Sequence, residues 1–145
     1  MVTIAILGIL AAIAAPSFTP IIERYRTRQA AEELQSSLYF ARSEAIKRGG
    51  GITLQATGSD WANGWVVKAG ADELQHTAAP SKIHATSIDG DTTVTADRWG
   101  MLTSNAVTTF HIQIAPHNGN ASNGSTLCIK PGGLIQRQNG ITNCP

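Results

Sequence analysis

Met1–Pro16 (MVTIAILGILAAIAAP) carries no charged side chain and only one polar one, Thr3. A polar, basic, amphipathic stretch follows it directly. No small domain can bury a rod that is apolar on every side, so the run predicts a membrane-held N-terminus with the rest of the chain outside. At about 1.5 Å per residue the run spans roughly 24 Å, slightly short of a hydrocarbon core of about 30 Å. Ile21 and Ile22 continue it beyond Pro16 until Glu23, Arg24, Arg26 and Arg28 close it off. Residues 1–20 therefore read as a transmembrane segment. The rival reading is a cleaved secretory signal, which wants basic residues before the apolar run and a small-x-small site after it. Nothing basic precedes the run, and only Ala12–Ala15 loosely fits the site. Pro16 and Pro20 each lack an N–H and disturb the carbonyl four residues back, which predicts a kink or local melting between about Ala12 and Pro20.

From Ile21 to Arg48 the period is helical. Ala31, Leu34, Leu38, Ala41 and Ala45 form one apolar stripe, with Arg28, Glu32, Gln35, Arg42 and Glu44 largely off it. Glu44 precedes Arg48 by four, the favourable order for an exposed ion pair. Gly49-Gly50-Gly51 stops the helix, since glycine takes the left-handed cap readily. Together with the apolar run this predicts one long rod whose second half, residues 21–50, is half-buried.

After Gly51 the period changes to two. Ile52, Leu54 and Ala56 alternate with polar residues, Trp65-Val66-Val67 follow the turn-like Asn63-Gly64, and Phe110, Ile112 and Ile114 alternate again, as do Leu127 and Ile129 around Cys128. Short strands between Gly, Asn, Asp and Pro clusters indicate an antiparallel sheet rather than βαβ units. The expected fold is α+β: a long N-terminal hydrophobic spine helix packed on one face of an antiparallel sheet, with residues 51–145 as the globular part. Ala69–Ser81 and Pro116–Ser125 read as exposed loops.

Net charge is +1, which supplies no global drive toward nucleic acid. Residues 21–50 carry the basic excess, and no acid follows Asp97, whereas Arg98, Lys130 and Arg137 do. Cys128 and Cys144 close a short terminal loop; in an exported chain the pair reads as a disulfide worth about 3 kcal/mol for about fifteen enclosed residues. No histidine stands near them at metal-ligand spacing. Ser43, His84 and Asp89 make a triad only on paper, without a G-x-S-x-G turn. His76, His84, His111 and His117 lack H-x-x-x-H spacing, so neither catalysis, nor a metal, nor a cofactor is expected. Two sequons, at Asn120 and Asn123, read as a plain polar loop. Trp61 and Trp65 invite a ligand-stacking role, but core packing against the helix is the expected one for Trp65; Trp99, beside Arg98 and Gly100, reads as more exposed.

Three segments together carry a family resemblance. MVTIAILGILAAIAAPSF resembles the core of the type IV pilin N-terminal helix, AEELQSSLYFARSEAIKRG resembles the helix end of GspH/FimT-type minor pilins and pseudopilins, and Trp61 with Gly64-Trp65-Val66-Val67 matches that family's GW strand. The match is strong over 1–67 and weak afterward. The family starts with a basic leader, a processing glycine, an aromatic residue and a glutamate ahead of the apolar run. The sequence as written begins inside that run and so offers no such processing site or glutamate. About six further residues would add roughly 9 Å and bring the helix to spanning length.

The resemblance implies a non-enzymatic minor subunit, held in the inner membrane by a single pass with a periplasmic head and then inserted among the helices of other pilins. Ile4, Leu7, Gly8, Leu10, Ala11, Ala14 and Pro16 are the expected packing residues, the small ones permitting close approach. Some FimT-like members take up DNA through a C-terminal Gly-Arg-x-Arg segment. The matching stretch Gly132–Gln138 holds one arginine, Arg137, joined at best by Lys130 and Arg98. Two or three phosphate contacts give weak, salt-sensitive binding. A type II secretion pseudopilin and a DNA receptor for transformation are the alternatives to a pilus subunit; no small-molecule substrate is expected.

Overall fold

A computed structural model describes residues 2–14, 18–87, 90–105, 107–130 and 132–144, with backbone alone for 10–14. Two helices come first, α1 (Val2–Ala14) and α2 (Thr19–Arg48). Among the described residues nine strands follow: β1 (Ile52–Ala56), β2 (Gly64–Ala69), β3 (Asp72–Ala78), β4 (Ile83–Ser87), β5 (Thr93–Ala96), β6 (Leu102–Thr103), β7 (Phe110–Pro116), β8 (Ser125–Lys130) and β9 (Leu134–Asn139). Short 3₁₀ turns at Trp61–Asn63 and Ala121–Asn123 precede β2 and β8.

Of the expected rod, two helical stretches are described. α1 ends at Ala14 and α2 begins at Thr19 with Pro20 in its first turn, where a missing N–H costs nothing. The joint expected at Pro16 lies outside the described residues. α1 has 13 residues, about 20 Å of helix. Among the described residues no helix is long and apolar enough to cross a membrane.

The apolar stripe of α2 is the spine of the core. Ala31, Leu34, Leu38, Ala41 and Ala45 are all essentially inaccessible, and they pack against strands of both sheets. Lys47 and Arg48 sit in the last turn, where cations favour the negative helix end, and both reach Glu44 at 2.9 Å. Gly49 then takes φ 81° and returns its N–H to the Ala45 carbonyl.

The single expected sheet is in fact two, both antiparallel: β3-β2-β1-β5-β6 and β4-β7-β8-β9. The chain changes sheet after β3, after β4 and after β6, connections that no local pattern announces. α2 lies across both, which is why one stripe serves as the lid of two sheets. Ala69–Ser81, expected as a loop, contains β3. Its residues are mostly exposed because it is an edge strand, so alternation is faint; Thr77 is the buried exception. Pro116–Ser125 is largely exposed as expected through Ser122, but Asn123 and Ser125 are buried.

β8 departs from simple alternation. Ser125 through Ile129 are all buried, including Cys128 and Thr126. The tail explains it: Cys128 is bonded to Cys144, with Cα atoms 5.7 Å apart, and folds the last residues over the outer face. Thr126 Oγ1 donates to the Gly140 carbonyl at 3.0 Å and accepts from the Thr142 N–H.

Trp65 and Trp61 are core residues with their indole N–H groups satisfied. Trp65 Nε1 donates to Ser37 Oγ at 2.9 Å, tying β2 to the helix, and Trp61 Nε1 donates to the Asp91 carbonyl at 2.8 Å. Trp99 is 75% exposed. Gly64 permits the entry to β2: a Cβ there would overlap the Thr77 carbonyl.

Candidate assembly surface and the cationic neck

Among the described residues nothing covers the apolar side chains of α1. Val2, Ile4, Ile6, Leu7 and Ile9 are all more than half exposed, Val2 reaching 74%. A Cβ built on Gly8 meets no atom within 4 Å, so this position is open to another helix. The side chains of Leu10, Ala11 and Ala14 are not described, and Pro16 lies outside the described residues. The exposure continues into α2 through Phe18, Ile21, Ile22 and Tyr25. An apolar surface of this length in water marks an interaction site with lipid or protein.

Where the helix meets the head, the stripe alone does not hold it. Thr27 Oγ1 donates to the Asn123 carbonyl at 2.6 Å, buried. The Asn123 side chain accepts from Arg24 Nε at 2.7 Å and donates to Glu23 at 2.9 Å. Asn118 Nδ2 donates to the other Glu23 oxygen at 2.7 Å. Thus the Asn-rich stretch between β7 and β8 serves as a clamp that sets how the rod leaves the head. Sequence reasoning missed these residues. The density of Asn and Ser in PHNGNASNGS (Pro116–Ser125) was visible, but its partner on the helix was not.

The three candidate DNA contacts do not fall together. Arg98 sits in the exposed turn after β5, built on Asp97 Oδ1 accepting from the N–H groups of Trp99 and Met101. Gly133 packs against the Gly100 carbonyl and Arg42, and Arg42 Nη1 donates to the Gly133 carbonyl at 3.1 Å. Lys130 and Arg98 therefore belong to the end of the head near Arg42. Arg137 pairs with Leu127 whereas Lys130 pairs with Leu134, a separation of about 10 Å along the strands. Arg137 instead joins Arg24 and Arg28 of the helix, with Thr27, Ser122 and Asn139, around an open cleft of about 450 Å³. Arg28 hydrogen-bonds Glu32 at 2.8 Å and thereby holds that carboxyl below its ordinary value, with the Arg137 charge acting the same way.

A second cleft of about 400 Å³ lies between the first turns of α2 and the β4–β7 edge. Thr19, Ile22, Glu23, Arg26, Lys82, Pro116, His117 and Asn118 line it. His117 stacks on His84 with ring centroids 4.8 Å apart. Among the described residues no three His, Cys, Asp or Glu side chains converge as a metal would require. The His84, Ser43 and Asp89 set has no described geometry as a triad, since Asp89 lies outside the described residues.

Comparison with known proteins agrees with this architecture. The model of the family described as type II transport protein GspH matches residues 30–133. A crystal structure of the type IV minor pilin FimU of Pseudomonas aeruginosa (strain PAO1) is similar with TM-score 0.68 and 27% identity, over 81% of this chain and 92% of that one. A second crystal form of FimU gives 0.65 and 29%, over 77% and 91%. The minor pseudopilin EpsH of the Type 2 Secretion System of Vibrio cholerae shares the fold at TM-score 0.60 and 12% identity, over 79% and 97%. No curated protein sequence matches.

Proposed function

Since the chain belongs to the GspH family of minor pilins and pseudopilins, we propose that it is a minor pilin of a type IV pilus machinery, acting in the priming of assembly or at the filament tip. The observation that carries this reading is the uncovered apolar length of α1 and early α2, clamped to a closed head. In this reading the subunit waits in the inner membrane as a single pass, its head periplasmic, and moves into a shaft of like helices with Ile4, Leu7 and Gly8 at the packing surface. An apolar rod leaving lipid needs another apolar environment, and sister rods supply it. The 27% sequence identity to the minor pilin FimU and the terminal disulfide favour a pilus over a secretion pseudopilus, the alternative. The role is structural and calls for no cofactor and no small-molecule substrate.

Deleting residues 1–15 tests it. The head should keep its buried-tryptophan fluorescence while the subunit disappears from sheared filaments. Normal incorporation without the segment rejects the reading.

A second reading, direct DNA contact, has support in the cleft that gathers Arg137 with Arg24 and Arg28. With three phosphate contacts, binding is confined to low salt. Arg137→Ala should then weaken a low-salt gel shift of duplex DNA, and Lys130→Ala or Arg98→Ala should do so less. No shift by the unaltered protein removes this reading.

A further inference from the structure

We propose that the cleft between the first turns of α2 and the β4–β7 edge seats the phosphate of an anionic phospholipid headgroup while the subunit is still in the bilayer. The inference rests on the reading that α1 is held in the membrane.

Position comes first. Five residue steps separate Ala14 from Thr19, and a chain of that length reaches at most about 18 Å. The cleft therefore stays close to the end of α1 whatever path the chain takes between them. Its volume, about 400 Å³, is that of a small-ligand pocket.

Its chemistry is two-sided. One wall is apolar: Ile22 lines it, Phe18 and Ile21 continue the surface toward α1, and Tyr25 stands three residues further along α2, all of them exposed. Tyr25 is the amphipathic kind of aromatic found at membrane–water boundaries. The other wall is cationic and polar, with Arg26, Lys82 and the His117 ring backed by His84, and with the Thr19 hydroxyl and Asn118 amide as further donors. Glu23 is the carboxylate in the lining, and both of its oxygens are occupied by the amides of Asn118 and Asn123. DNA would use the cations but has no need of the apolar wall, whereas a phospholipid needs both.

Lys82 supplies an independent sign. In the turn before β4 it holds φ 58°, a left-handed conformation uncommon for residues other than glycine. Strain of this kind collects at ligand-binding positions. The His117 N–H bonds to the Lys82 carbonyl at 3.0 Å, so the strained turn and the histidine are held as one unit beside the helix.

The full chain, reconstituted into nanodiscs of phosphatidylcholine alone or with an equal share of phosphatidylglycerol, provides the test. Lipids retained on the released protein are counted by native mass spectrometry. Phosphatidylglycerol should be retained at least ten-fold over phosphatidylcholine. Each cation near an anionic surface is worth roughly five-fold, so Arg26→Gln with Lys82→Gln, about 25-fold together, should abolish a preference of that size. Lys47→Gln with Arg48→Gln, at the far end of α2, should leave it unchanged, and tryptophan fluorescence verifies that both variants are folded. Equal retention of the two lipids, an unaffected Arg26/Lys82 variant, or equal loss in both variants overturns the proposal. Inorganic phosphate that displaces the lipid at matching concentration assigns the cleft to free anions and overturns it too. A chain that fails to enter even the neutral discs refutes the membrane reading together with this one. A chain that enters them with no lipid preference refutes the headgroup site alone.

Discussion

Replacing Thr27 by valine isolates the clamp between helix and head. The two side chains are nearly the same size and both branch at Cβ, so helix propensity and volume hardly change. A threonine hydroxyl has one proton to donate. Of its three carbonyl neighbours, Asn123 at 2.6 Å takes that proton in preference to Glu23 and Arg24, each at 3.1 Å. Both Thr27 and Asn123 are almost wholly buried. Valine would leave the Asn123 carbonyl without a donor in a dry site, at a cost of about 1–3 kcal/mol. Its methyl also needs more room than a hydrogen-bonded oxygen, which pushes the two segments apart. At about 2 kcal/mol the ratio of folded to unfolded molecules drops roughly thirty-fold. Thr27→Ser is the control: it keeps the donor and loses one methyl, about 1 kcal/mol or less. Urea unfolding of the detergent-solubilised chain, followed by the fluorescence of buried Trp61 and Trp65, measures both variants. If valine destabilises no more than serine, the hydrogen bond is not what fastens the helix to the head.

Cys128→Ser combined with Cys144→Ser should lower stability by about 3 kcal/mol in the chain-entropy model, with amide protection lost first around Thr126 and Thr142; an unchanged urea midpoint would show that the tail is held without the bond. The Glu44 carboxyl is held below its ordinary value by hydrogen bonds from Arg48 and then Lys47. Its contribution to the folded state is therefore complete above the ordinary carboxylate range and fades as pH falls through the lowered value. The last turn of α2 should fray on acidification, seen as faster amide exchange from Ala45 to Gly50, and Glu44→Gln should produce the same fraying at neutral pH. Exchange that is insensitive to both changes would count against the pairing.

The features that repeat at a fixed short spacing were legible in the sequence. An unbroken apolar run suffices for α1, and a three- and four-residue stripe ending in Gly49-Gly50-Gly51 for α2 and its buried face, because a helix closes its hydrogen bonds within itself. Alternation was enough for β1 and β7, whose inward residues are all core. It was too faint for β3, an exposed edge, and misleading for β8, whose outer face is sealed by residues bonded to it from the end of the chain. The division into two sheets, the union of Arg137 with Arg24 and Arg28 rather than with Lys130, and the grip of Asn123 on Thr27 all depend on partners far apart in the chain, about a hundred positions or more for the side-chain pairs. Such pairings are selected by the packing of the whole head, and neither periodicity nor composition encodes them locally. What the chain must bury was thus written in its residue order; which polar groups meet at its surface was decided only when the strands closed around the helix.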